Sequence, residues 1–84
     1  MSTPPPLPTL YVKPGCPWCA EATRELDRQG IDYRTVDVFT DRAAADEMRQ
    51  LSGQSKVPVL NYHGDILADF GEAELKPFLA ARLK

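Results

Sequence analysis

The chain is predicted to be an α/β domain in which a four-stranded mixed sheet is flanked by three helices, in the order β-α-β-α-β-β-α. Three observations predict it. Short runs rich in β-branched and aromatic residues alternate with segments of helical periodicity. The last two apolar runs are separated only by His63-Gly64-Asp65, a turn signal that makes them a hairpin. The opening β-α-β unit must cross over right-handed, so it pairs two parallel strands, to which the hairpin adds two antiparallel ones.

Taken in order, residues 1–8 contain Pro4, Pro5, Pro6 and Pro8, which cannot supply ladder donors. They are expected to form a flexible tail ahead of a domain spanning 9–84, and they carry the PxxP spacing of polyproline ligands. Leu10-Tyr11-Val12 reads as a short buried strand, broken by Lys13-Pro14-Gly15. The first helix is predicted over 17–29, with Pro17 in its first turn and Gly30 just past its end. Its inward positions are Cys19, Ala22 or Thr23, and Leu26. A second strand follows over 31–38. The second helix runs over 42–51, capped by Thr40 or Asp41, closed by Ser52-Gly53, and striped with Ala44, Met48 and Leu51. Residues 57–62 and 66–68 make the hairpin, and a third helix over 72–83 turns Leu75, Phe78, Leu79 and Leu83 inward. There is no internal repeat and no linker after the tail.

Composition narrows the function. Eighty-four residues make one domain, and 43% hydrophobic residues supply an ordinary core. Net charge is -2, with Lys and Arg scattered, so no nucleic acid partner is expected. No apolar run approaches the length of a membrane span. "MSTPPPLPTL" has neither a basic start nor a long apolar region, which argues against a secretory leader and for the cytoplasm. There, a close pair of cysteines is catalytic or metal-binding more often than a permanent staple.

Both cysteines lie in "GCPWC", Cys16 and Cys19. A structural zinc ion wants four ligands, and the chain offers two cysteines and His63, which the hairpin turn holds apart; no metal is expected. His63 reads as a solvated turn residue. An inert disulfide would close so small a loop that it would add little stability. Redox exchange is the reading these residues favour over both. The pair falls at the end of a strand and the start of a helix, where free N–H groups and the helix dipole favour an anion. Cys16, ahead of the helix, is the expected attacking thiolate; Cys19, almost a turn inside, is the expected buried resolving thiol. Pro17 fixes the first turn, Lys13 adds a positive charge, and Trp18 offers a flat apolar flank. Further on, "SGQSKVPVL" places Pro58 at the start of the third strand. If Val57-Pro58 is cis, the Val57 N–H and C=O face outward, where an extended substrate could pair with them.

Together, "YVKPGCPWC", "SGQSKVPVL" and the element order resemble a glutaredoxin of the thioredoxin-fold superfamily, from about Leu10 to the C-terminus. The resemblance implies a thioredoxin/glutaredoxin-like fold, Cys16 as nucleophile, Cys19 as resolving cysteine and Pro58 as a cis-proline. It implies a glutathione site made by Lys13, Trp18, Val57 and the stretch Asp69, Phe70, Gly71 and Glu72, with Gln54 and Lys56 on the loop before Pro58. The implied activity is a glutathione-dependent thiol–disulfide oxidoreductase with no tightly bound cofactor, acting as a monomer on disulfide-containing or glutathionylated proteins. Two departures stand out. Trp18 replaces the tyrosine common at its position. "LADFGEAEL" puts Asp69 where a glycine pair usually holds the γ-glutamyl end, leaving Glu72 as the acidic residue expected to meet the ligand's ammonium. Two alternatives are a thioredoxin-like carrier recharged by a flavoprotein reductase, and an iron–sulfur carrier sharing a cluster through Cys16 and glutathione. Pro17 argues against the second by stiffening the loop.

Overall fold

A computed structural model describes residues 7–82. The strands are β1 (Thr9–Val12), β2 (Arg34–Asp37), β3 (Val59–Tyr62) and β4 (Asp65–Ala68), and the helices α1 (Pro17–Arg28), α2 (Arg42–Ser52) and α3 (Glu72–Arg82). The predicted element order is the observed one. The sheet runs β2-β1-β3-β4. β1 and β2 are parallel with Leu10 opposite Thr35, and β1 and β3 are antiparallel with Leu10 opposite Leu60. β3 and β4 form the hairpin, with Val59 opposite Ala68. The expectation for residues 1–6 of the tail, and for Leu83, lies outside the described residues. Pro8 is buried, and its carbonyl accepts from the Arg34 N–H at 2.9 Å.

Alternation along the strands divides the core between the two faces of the sheet. On one face Leu10 and Leu60 meet Ala22 and Leu26 of α1, Leu75 and Leu79 of α3, and Phe70. On the other, Tyr11 and Val59 pack with Val38 and with Met48 of α2. No helix of the described residues is long and apolar enough to cross a membrane.

Some boundaries differ from the expectation for identifiable reasons. β2 starts at Arg34 because the residues before it serve the end of α1. The Gly30 N–H donates to Asp27 O and the Ile31 N–H to Leu26 O, with Gly30 at φ 71, which is a Schellman cap. β3 starts at Val59 because Pro58 has no N–H to give a ladder. The hairpin turn is the two residues His63 and Gly64, both with positive φ, so Asp65 already belongs to β4. α2 begins as predicted at an Asp41 cap, whose Oδ1 accepts from the Ala44 N–H at 3.1 Å. Leu51 leaves the expected stripe. It is 41% exposed and borders an open cleft with Leu7, Thr9 and Asn61.

Strand direction decides where the loops gather. β1 and β2 end at the same edge of the sheet where β3 begins and β4 ends. The segments carrying Cys16, Pro58 and Asp69 therefore converge there, while His63 lies exposed at the opposite edge.

Candidate active site

The cysteine motif begins as soon as β1 ends. Gly15 takes φ 75, which turns the chain into α1 in a conformation that disfavours any Cβ. Cys16 is then the N-cap residue, extended at φ -89 and ψ 112, and Pro17 is the first helical residue. N-cap side chains normally offer an oxygen to the N–H three residues on. Here the acceptor is sulfur: the Cys19 N–H donates to Cys16 Sγ at 3.1 Å. A negative sulfur at that point also faces the positive end of the helix dipole.

The two thiols, both free, have different surroundings. Cys16 is half-buried, while Cys19 is 5% exposed. Burial is the main cause that pushes the Cys19 thiol up to about 12 from 9.0, with the hydrogen bond to Cys16 and the charge there adding to it. A hydrogen bond from the Lys13 backbone and the Lys13 charge act the other way. Cys19 thus holds its proton near neutral pH.

Two open grooves meet at Cys16. One, of about 650 Å³, is lined by Lys13, Cys16, Pro17, Trp18, Lys56, Val57, Pro58, Asp69, Phe70, Gly71 and Glu74. The other, about 480 Å³, runs along α1 past Val12, Gly15, Ala20, Thr23 and Thr35, and is bordered by both Cys16 and Cys19. In the first, Trp18 is 57% exposed and its indole lies alongside Gly71. The Val57-Pro58 bond is cis. Among the described residues, the N–H and C=O of Val57 have no hydrogen-bond partner. Asp69, at φ 51, donates its N–H to Pro58 O at 3.1 Å, which ties the segment after β4 to the start of β3.

Most residues singled out from the sequence share this groove: Lys13, Cys16, Trp18, Lys56, Val57, Pro58, Asp69, Phe70 and Gly71. Phe70 is 2% exposed and belongs to the core, so it forms the floor. Cys19 opens onto the second groove instead. Gln54 and Glu72 are not brought to the Cys16 groove. Gln54 folds onto its own loop, donating to Lys56 O at 3.0 Å and accepting from the Lys56 N–H at 2.9 Å. Glu72 pairs with Lys76 at 3.3 Å and lines a separate depression with Arg24 and Arg28. The α3 carboxylate that does reach the groove is Glu74, whose Oε1 accepts the Gly71 N–H at 2.7 Å. Its signal was present in the sequence as an acidic residue three positions after a helix-capping glycine, the spacing of a capping box.

The sequence profile of the glutaredoxin family matches residues 9–67, most of the chain. The chain belongs to the glutaredoxin family. It is 42% identical over 66 residues to an uncharacterised glutaredoxin-like 8.6 kDa protein of a rubredoxin operon in Clostridium pasteurianum, covering 79% of this chain and 88% of that protein. A glutaredoxin of Neisseria meningitidis serogroup B is 47% identical over 53 residues, 60% of each chain. Among solved structures, a thioredoxin-like protein superposes with a TM-score of 0.77 at 24% identity, covering 83% of this chain and 96% of that one; this likeness is one of fold. Family and fold make the chain a thiol–disulfide oxidoreductase.

Proposed function

We propose that the chain reduces protein disulfides and glutathione mixed disulfides through Cys16 and Cys19, with glutathione as the reductant that restores the dithiol. In the first step the Cys16 thiolate attacks one sulfur of the substrate disulfide. A Cys16–substrate disulfide forms, and the other substrate sulfur leaves as a thiolate. In the second step Cys19 loses its proton and attacks Cys16 Sγ, releasing the second substrate thiolate. The substrate gains two electrons and the dithiol becomes the Cys16–Cys19 disulfide. Two glutathione molecules then give up two electrons and two protons to regenerate both thiols, and leave as glutathione disulfide.

The observation that carries this reading is the Cys19 N–H bonded to Cys16 Sγ, with one sulfur open to the groove and the other buried. In-line attack by Cys19 on Cys16 Sγ needs the leaving sulfur on the far side. The larger groove, which Cys16 borders and Cys19 does not, fits that place. The unpaired Val57 N–H and C=O supply main-chain partners for an extended substrate. Lys13 and Lys56 suit a ligand carboxylate, and Trp18 supplies a flat wall. Two free thiols suit the cytoplasm, where substrates would be disulfide-containing or glutathionylated proteins met by a monomer.

The test uses variants and two reducing systems. Cys16→Ser should abolish all exchange. Cys19→Ser should lose reduction of protein disulfides yet keep part of its activity on glutathione mixed disulfides, which needs only Cys16. A Cys19→Ser protein as active as wild type on protein disulfides would refute the resolving role. Turnover should be supported by NADPH with glutathione and glutathione reductase. Turnover with thioredoxin reductase alone would replace glutathione with a flavoprotein as electron source, a reading that the carboxylates of Asp69 and Glu74 in the groove also favour.

A further inference from the structure

The groove beside Cys16 is lined by charges of both signs. Lys13 follows β1 and Lys56 precedes β3, whereas Asp69 follows β4 and Glu74 lies in the first turn of α3. Asp69 follows the edge strand of the order β2-β1-β3-β4, and Glu74 reaches the groove beside Gly71 and Trp18. Cys16 opens into the space that both line.

Around Asp69 and Glu74 the groove is short of donors. An anion arriving at the start of α3 would look for the Gly71 N–H. Glu74 Oε1 already accepts that N–H at 2.7 Å. The Asp69 N–H is taken by Pro58 O, and the Asp69 side chain is exposed. An anionic group placed there meets two carboxylates with those two N–H groups occupied. A guanidinium or ammonium meets two acceptors. The γ-glutamyl end of glutathione carries both charges on one carbon, so attraction of its ammonium is largely offset by repulsion of its carboxylate. The side chain of an arginine or lysine in a peptide has no such offset.

We propose that Asp69 and Glu74 are specificity determinants that select protein disulfides carrying a basic residue beside the half-cystine that bonds to Cys16. This rests on the dithiol reading above and names its substrate class. Cys16 thiolate attacks that half-cystine and displaces its partner as a thiolate. Cys19 then attacks Cys16 Sγ after losing its proton to solvent, and the basic peptide leaves as a thiolate. The protein's own dithiol supplies both electrons, so a single turnover needs no other reductant.

The experiment compares two peptide disulfides that differ only in Arg or Glu beside the half-cystine. Reduced protein is mixed with each at low ionic strength, and oxidation is followed by the fluorescence of Trp18, the single tryptophan. Wild type should react with the Arg peptide about fivefold faster, and added salt should shrink the ratio. Glu74→Gln keeps an oxygen for the Gly71 N–H while removing the charge, and Asp69→Asn suits the same backbone conformation. Each variant should lower the ratio, slowing the Arg peptide and speeding the Glu peptide, and the double variant should bring it near one. Equal rates in wild type, or a preference that survives the double substitution, overturn the proposal alone. No reaction with either peptide, or reaction that survives Cys16→Ser, overturns the dithiol reading and the proposal with it.

Discussion

Replacing Cys16 with alanine separates the causes that hold the proton on Cys19. In the wild type that thiol is pushed up to about 12 from 9.0. Three pH units correspond to about 1,000-fold less thiolate at any pH well below both values. Burial is the largest cause and survives the substitution, because Cys19 remains packed inside the first turn of α1. The hydrogen bond to the Cys16 sulfur and the charge there are both removed. Cys19 in Cys16→Ala should therefore titrate below 12 but clearly above 9.0, and near neutral pH it should alkylate at least about tenfold more slowly than an unhindered thiol. The assay is iodoacetamide labelling across a pH series, with the modified peptide quantified by mass spectrometry. In the wild type the same assay should label Cys16 first by a wide margin. A Cys19 inflection near 9.0 in the variant would show that burial does not govern the thiol. Equal labelling of the two cysteines in the wild type would refute the assignment of roles.

Two further outcomes follow from the packing and titration of the fold. Tyr11, pushed up to about 12 from 10.0 mainly by burial and then by its bond to Glu47, shares the alkaline behaviour of Cys19. Both groups keep protons when folded that the unfolded chain releases, so their contribution is whole below pH 9 and is lost between about 9 and 12. Urea midpoints measured up that range should fall, and Tyr11→Phe should flatten part of the fall; a flat profile would contradict both shifts. Leu26→Ala should cost about 2–5 kcal/mol, because Leu26 is 0% exposed and joins α1 to Leu10, Leu60 and Leu79. That is a large share of the about 4–13 kcal/mol expected for a chain of this length, and equilibrium unfolding in urea checks it.

The sequence was most legible where one residue type had one physical use. Gly30 and Gly53 ended helices at the predicted places, with φ 71 and 74, because few other residues accept that backbone. Cys16 and Pro17 marked the start of α1 because a cap and a donorless residue both belong there. Legibility failed where tertiary placement decided the outcome. Leu51 continues the apolar spacing of α2, but the helix carries it to the rim of an open cleft, where it stays 41% exposed. Glu72 and Glu74 both stand in the first turn of α3, and composition cannot say which faces Cys16. Two positions along a helix differ by about 200° of rotation, so one meets Lys76 and the other the groove. Ile31 has the residue type of a strand, yet its N–H is already committed to closing α1.

The spacing of the cysteines joins the two halves of the chemistry. A residue at the N-cap bonds with its side chain to the N–H of the second or third helical residue. In a CxxC segment that begins at the cap, the third helical residue is the second cysteine. Cys19 therefore donates its backbone N–H to the Cys16 sulfur while its own thiol stays buried and protonated beside that sulfur. Charge on Cys16 discourages charge on Cys19. Once Cys16 enters a mixed disulfide, its sulfur is neutral, and both the charge and the hydrogen bond that raised Cys19 are weakened. In the proposed mechanism the attacking step thus prepares the resolving step. A cysteine one residue earlier or later would lose either the bond at the cap or the inward direction that buries the second thiol.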